Sequence, residues 1–418
     1  MSDDDDFVEP AYRSRSLADV VPAVAEALGV SSALDGSPLD LSLPPAASYV
    51  VFLVDGLGAE LLDRYAHAAP FLSSLAEGQR PGTAGVPSTT ATSLTSLGTA
   101  LPPGSHGLVG FTSRVPGTDR LLNALVWDKR VDPVEWQPHP TAFARLSAAG
   151  VSVTAVNKRE FRDSGLTIAA HRGATYVGAD RVGERIAAVL AAARARPSLT
   201  YVYDGDLDWT GHRFGVASSH WLQQLAMVDA EAEQLRESLP DATRMVVIAD
   251  HGMVDSPPES RVDVDQHPEL RDGVALVGGE ARFRHLYCSG GAVADVRETW
   301  RGFLGERAEV LSRDEAVARG WFGTALPGML PRIGDVVVAS RGDHGIFSSV
   351  DFGYETNLVG LHGSLTAAEM LIPILVCRAW SAETHSGWLP PAPPTAYDDV
   401  TPVYIRCATS PSAACDRL

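Results

Sequence analysis

Apolar residues in this chain come in short runs that stop at acidic or histidine residues. Val50-Val51-Phe52-Leu53-Val54 runs into Asp55-Gly56, and Met245-Val246-Val247-Ile248-Ala249 runs into Asp250-His251-Gly252. Tyr201-Val202-Tyr203 leads into an acidic loop ending Asp208-Trp209-Thr210-Gly211-His212, and His362-Gly363 precedes a further apolar run from Met370 to Val376. Short β-branched runs of this kind predict buried parallel strands. The strands are expected at Tyr49–Val54, Val151–Val156, Leu199–Tyr203 and Met245–Ala249. Between them, 3.6-residue spacing predicts helices at 59–66, 71–77, 141–149, 187–195 and 221–239. The Ser/Thr-rich segment 88–100 also has helical spacing, and Pro102-Pro103-Gly104 ends it. Alternation of this type predicts an α/β fold, a mostly parallel central sheet with helices on both faces.

The alternation weakens between about residues 255 and 345. Charged and Gly-rich stretches there separate strand-like runs at 284–288 and 335–339, with a helix at 293–304. The expected organisation is an N-terminal arm (1–45), a core (46–254 and 346–380), a smaller inserted cap subdomain (255–345) and a Pro-rich C-terminal strap (381–418).

Composition narrows the function. The chain has 418 residues, 45% of them hydrophobic, so a core of ordinary size is available. A formal charge of −18 disfavours a nucleic-acid polymer or an anionic membrane as partner. It does not disfavour a small anionic substrate, because metal ions reverse the field inside an acidic site. The acidic start and the lack of a long apolar run predict neither a secretory signal nor a membrane span. Cys288, Cys377, Cys407 and Cys415 lack metal-type pairing and read as reduced thiols of a cytoplasmic protein, with Cys407–Cys415 as the only disulfide alternative. Oligomeric state is not legible.

Ligand sites of open α/β sheets gather beyond the carboxyl ends of the strands. Three Asp and three His delivered to that edge could hold two divalent cations. Asp208 and His212, four apart, face the same way on a helix or tight turn. Carboxylate with neutral imidazole suits Zn²⁺ and tolerates Mn²⁺. A nucleophile is expected in Ser88-Thr89-Thr90, where backbone N–H groups at a helix start favour a phosphoryl oxygen. Spacing alone does not choose among those three hydroxyls. Phe111, Trp127 and Trp209 are candidates for stacking on a base or aryl group. His106 reads as structural, Asp204 and Asp206 as solvated or supporting groups, and His267 and His344 as surface or cap residues.

The order of these motifs resembles the alkaline phosphatase superfamily, and within it the nucleotide pyrophosphatase/phosphodiesterase branch. The motifs are Val54-Asp55-Gly56, Pro87-Ser88-Thr89-Thr90, the stretch from Gly98 to Gly107 containing Ser105-His106-Gly107, Asp208 to His212, Asp250 to Met253, and His362-Gly363. The resemblance spans roughly residues 49–378. It implies an alkaline phosphatase-like fold and places the nucleophilic Thr on Thr90. It assigns Asp208, His212 and His362 to one Zn²⁺, and Asp55, Asp250 and His251 to the other, which Thr90 also touches. The two ions would stand about 4 Å apart and clamp the attacking and leaving oxygens. One departure is Ser93, which stands where many members carry an Asn that steadies the phosphate. The implied function is hydrolysis of a phosphodiester or nucleotide pyrophosphate through a phospho-Thr intermediate. The alternatives are a phosphomonoesterase, phosphonate hydrolase or phosphomutase on the same metals, or a non-catalytic metal- or nucleotide-binding relative. No Cys/Ser-x-Pro-x-Arg segment of a sulfatase is present.

Overall fold

The computed structural model describes residues 7–36 and 39–377. The strap expected at 381–418, with Cys407 and Cys415, lies outside them.

The central sheet has six strands, in the order Ile374–Val376, Thr243–Ile248, Ser48–Val54, Ser198–Asp204, Ser152–Asn157 and Thr175–Gly178. All neighbours are parallel except the first pair. The strand Ser48–Val54 is buried at every residue, as a central parallel strand must be. Helices flank the sheet, and one large apolar core joins them to it.

The four expected strands are present. Thr175–Gly178 is an addition: it is short, half-buried and at the sheet edge, so it carries little apolar signal. Pro373, which has no N–H to give a ladder, interrupts the 370–376 run, and only Ile374–Val376 joins the large sheet. The helix expected at 187–195 spans Val182–Ala192. The acidic loop is in fact a helix, Asp206–Phe214, led in by Gly205.

A second sheet is entirely antiparallel. Its order is Val274–Glu280, Phe283–Cys288, Val336–Ser340 and Ala308–Ser312. The helix Val293–Leu304 covers it through Val296, Trp300 and Leu304, which share an apolar cluster with Val277, Leu286, Val336 and Val338. Arg282, fully buried in the turn between the first two of these strands, pairs with Glu369 near the carboxyl edge of the large sheet. Thr112 Oγ1 donates to the Gly279 carbonyl beside the same edge.

Candidate metal centre

Three adjacent strands of the large sheet deliver most of the site. Asp55 follows Ser48–Val54, and its N–H donates to the Asp204 carbonyl, which continues the ladder past the last paired residues. Gly56 then turns with φ +74°, where a Cβ would lie 3.1 Å from the Asp208 backbone. The Gly56 N–H donates to Asp250 Oδ1, so the first turn grips the third strand's carboxylate. Gly252 lets the next turn approach: a Cβ there would sit 1.9 Å from the Ala368 carbonyl. Asp208 and His212 lie one turn apart on Asp206–Phe214. Thr90 opens the helix Thr90–Thr99, and His362 follows the short strand Gly360–Leu361.

These seven residues converge. His251 Nε2 lies 3.4 Å from Asp55 Oδ1, 3.5 Å from Asp250 Oδ2 and 3.2 Å from Thr90 Oγ1. Thr90 Oγ1 is also 3.4 Å from Asp55 Oδ2. His362 Nε2 lies 3.2 Å from His212 Nε2 and 3.8 Å from Asp208 Oδ1, and His212 Nε2 is 3.4 Å from Asp208 Oδ2. The rings of His251 and His362 stack at 3.7 Å, joining the two halves. Asp55, Asp250 and His251 can offer ligand atoms within 4.8 Å of one another, and so can Asp208, His251 and His362. His251 thus stands between the two groups.

The chemistry of the donors fits divalent cations. Nδ1 of His212, His251 and His362 faces the carbonyls of Gly360, Gly252 and Ser88, at 2.7, 2.9 and 3.0 Å. A carbonyl only accepts, so each Nδ1 carries the proton and each Nε2 presents a lone pair to the cluster. Two such lone pairs meet between His212 and His362. Asp55 Oδ1, Asp208 Oδ1 and Asp250 Oδ2 are buried without a hydrogen bond. Burial first, then the charges of Asp250 and Asp208, holds the Asp55 carboxyl well above the usual range. Burial, then His251 and His212, holds His362 well below its own. A cluster of acceptors that repel one another is what a pair of cations would neutralise.

The other expected residues are placed as follows. Ser88 is buried, with its hydroxyl given to the Ser364 carbonyl, and Thr89 is buried too. Of the three candidate hydroxyls, Thr90 is the one at the cluster. Ser93 is fully buried and its hydroxyl donates to the Asp250 carbonyl, so it braces the ligand strand and does not face a substrate. Trp127 is also turned away from solvent: its ring packs over Gly165 and its indole N–H donates to Val131. Trp209 is 57% exposed, with the Arg213 guanidinium over its ring. Phe111 is half-buried and meets Tyr354 edge to face at 6.1 Å. His106 bonds Ser96 and the Leu108 amide inside the core, in keeping with a structural role. Asp204 is buried and paired with Arg185, while half-exposed Asp206 pairs with Lys158. His267 sits against Phe303, and His344 Nδ1 faces the Ser260 carbonyl.

Two residues at the site were not singled out from sequence. The Tyr203 hydroxyl donates to Asp55 Oδ2 at 2.5 Å. Its position at the end of a strand that runs into the acidic segment was the available signal. Glu280, from the second sheet, lies against Gly363 beside His362, and no local pattern marked it.

Residues 49–365 match the sequence model of the type I phosphodiesterase / nucleotide pyrophosphatase family. A search of curated proteins gave no significant match. Among solved structures, murine ectonucleotide pyrophosphatase / phosphodiesterase 5 is similar, with a TM-score of 0.61 and 16% identity over 78% of this chain and 87% of that one. An inactive form of that murine protein has been solved in complex with AMP, and it matches this chain at 15% identity. Phosphonoacetate hydrolase from Sinorhizobium meliloti 1021, in complex with phosphonoacetate, has a TM-score of 0.61 and 20% identity, over 85% of this chain and 94% of that one. At these identities the structural likeness speaks for the fold.

Proposed function

The chain belongs to the type I phosphodiesterase / nucleotide pyrophosphatase family of the alkaline phosphatase superfamily, and on that basis we propose that it hydrolyses small phosphodiesters or nucleotide pyrophosphates through a phospho-Thr90 intermediate. Residues Asp208, His212 and His362 would hold one Zn²⁺, and Asp55, Asp250 and His251 the other, with Mn²⁺ as the alternative. Two bound cations supply Lewis acidity, which lowers the pKa of a hydroxyl or water and offsets charge on the phosphoryl oxygens.

The chain's own residues supply position. Thr90 Oγ1 faces two acceptors, His251 Nε2 and Asp55 Oδ2, so its proton points inward and a lone pair is left for phosphorus. Attack forms the Oγ1–P bond and breaks the bond to the leaving oxygen. The phosphoryl group on Thr90 keeps its second ester substituent, so water that then cleaves the Oγ1–P bond returns the hydroxyl and releases a phosphomonoester. N–H groups at the start of Thr90–Thr99 favour the phosphoryl charge. Half-buried Phe111 and exposed Trp209 are proposed contacts for an aryl or nucleoside group. Residues 255–345 are proposed to act as a cap over this edge, and the AMP complex of the murine relative supports a nucleotide-sized substrate. No described helix is long and apolar enough to cross a membrane. The free thiols Cys288 and Cys377 support a reducing, cytoplasmic compartment.

The observation that carries this reading is the place of Thr90, at 3.2 Å from His251 and 3.4 Å from Asp55. With Zn²⁺ present, the parent protein should turn over a bis-aryl phosphate and, when quenched, yield a peptide carrying an aryl phosphate on Thr90. Thr90→Ala should abolish turnover with both metals retained, and full activity in that variant reassigns the nucleophile. A second reading, a phosphonate hydrolase, is favoured by the coverage of the Sinorhizobium enzyme. Turnover of phosphonoacetate in preference to the diester would select it.

A further inference from the structure

Glu280 ends the strand Val274–Glu280 and is 7% exposed. Both carboxyl oxygens are buried without closing a hydrogen bond. The nearby guanidinium of Arg284 is given to Glu355 and to the Ile346 carbonyl. A buried carboxyl left this way lowers stability, so its presence calls for a role.

Its surroundings indicate that role. A Cβ on Gly363 would lie 2.8 Å from Glu280 Cγ and 3.2 Å from Cδ, so the side chain fills the space over the residue after His362. Its carboxyl also faces the Thr89 hydroxyl and the Phe111 amide. Thr89 precedes the nucleophile. Glu280 is therefore wedged between the turn that presents Thr90 and the turn that presents His362. Those turns touch directly through the Ser88 N–H on the Gly363 carbonyl and His362 Nδ1 on the Ser88 carbonyl.

We infer that Glu280 is a positioning residue, through which the second sheet sets the distance between Thr90 and the metal ligands by holding Thr89 and Gly363. This rests on Thr90 as nucleophile. Burial, with Glu355 adding to it against Thr89 and Arg284, pushes this carboxyl up to about 8. Its oxygens face two donors, the Thr89 hydroxyl and the Phe111 N–H. An amide of the same length keeps an acceptor oxygen in their reach.

The test compares Glu280→Leu with Glu280→Gln. Removal of a buried carboxyl that closes no hydrogen bond leaves the melting temperature of Glu280→Leu unchanged or raised, whereas kcat for the diester falls about tenfold or more with KM little changed. Glu280→Gln restores most of that loss. Parental kcat in Glu280→Leu, or a loss in Glu280→Gln as large as in Glu280→Leu, overturns the inference. Should Glu280→Leu fail to fold, Glu280→Asp, one methylene short, takes its place with the same expected loss. A crystal structure of the variant gives a reading that needs no turnover: the Thr90 Oγ1–His251 Nε2 distance lengthens by about 0.5 Å or more, and an unchanged distance refutes the inference. Absence of diester turnover in the parent counts against the proposed function, and the crystallographic distance still decides the role of Glu280.

Discussion

Single side chains at the cluster are fixed by what their far ends touch. Each imidazole commits Nδ1 to a carbonyl, and Asp55 is held by Tyr203, so the ligand atoms are aimed before any ion arrives. His362→Ala should therefore lower bound metal and turnover together, and an unchanged metal count by elemental analysis would remove His362 from the site. Asp55, Asp250 and His251 were legible in the sequence because a β-branched run that ends on a charge has nowhere to bury it. Thr90 was not separable from Ser88 and Thr89 by spacing, since all three hydroxyls lie at one helix start. Only the tertiary placement of Ser364 and His251 distinguishes them. Tyr203 was hidden because an aromatic in a buried strand looks like core. Glu280 was hidden because its partners, Thr89 and Gly363, are remote in sequence.

Among elements, the helix that carries Thr90 is seated by its neighbours. It crosses the helix Gly165–His171 so closely that a Cβ on Gly98 would lie 1.9 Å from the Ala170 carbonyl. That second helix was not expected from the sequence: it is short and mixes Gly, Thr and Ala, so its apolar face is faint. At its end the His171 ring lies tilted at 50° against Tyr201, 4.8 Å between centroids, with neither ring nitrogen hydrogen-bonded. Burial pushes His171 down to about 4. The unfolded chain, with an ordinary value near 6.5, binds the proton first as pH falls. The contribution to stability is thus fully present above about pH 6.5 and is lost as pH drops toward 4. His171→Phe should flatten urea-unfolding free energies between pH 7 and 4.5 by roughly 2–3 kcal/mol. A curve as steep as the parent's would show that His171 is not a source of the slope. Burial also pushes His285 down to about 4 and His106 to about 3, so part of the acid sensitivity persists in the variant.

For the molecule as a whole, the strand–helix alternation made the large sheet legible, because parallel strands buried on both faces write long apolar runs. The second sheet was only half legible. Val274–Glu280 carries two consecutive glycines at 278 and 279, and Ala308–Ser312 is short, so neither stood out. If the acidic cluster holds cations as proposed, global stability follows metal. Chelation should abolish turnover and lower the unfolding temperature, and divalent cation at a hundredfold excess over its Kd should return about 3 kcal/mol of unfolding free energy. Thermal melts that ignore both treatments would rule out a bound cation pair.

The proposed ligands are also spread along the chain, with Asp55 just after an early strand and His362 close to the last one. A ribosome that has passed His251 has made five of the six, and the last, His362, comes more than a hundred residues later. On the proposed assignment, a chain whose translation is arrested before residue 362 lacks one of the six groups and should be inert.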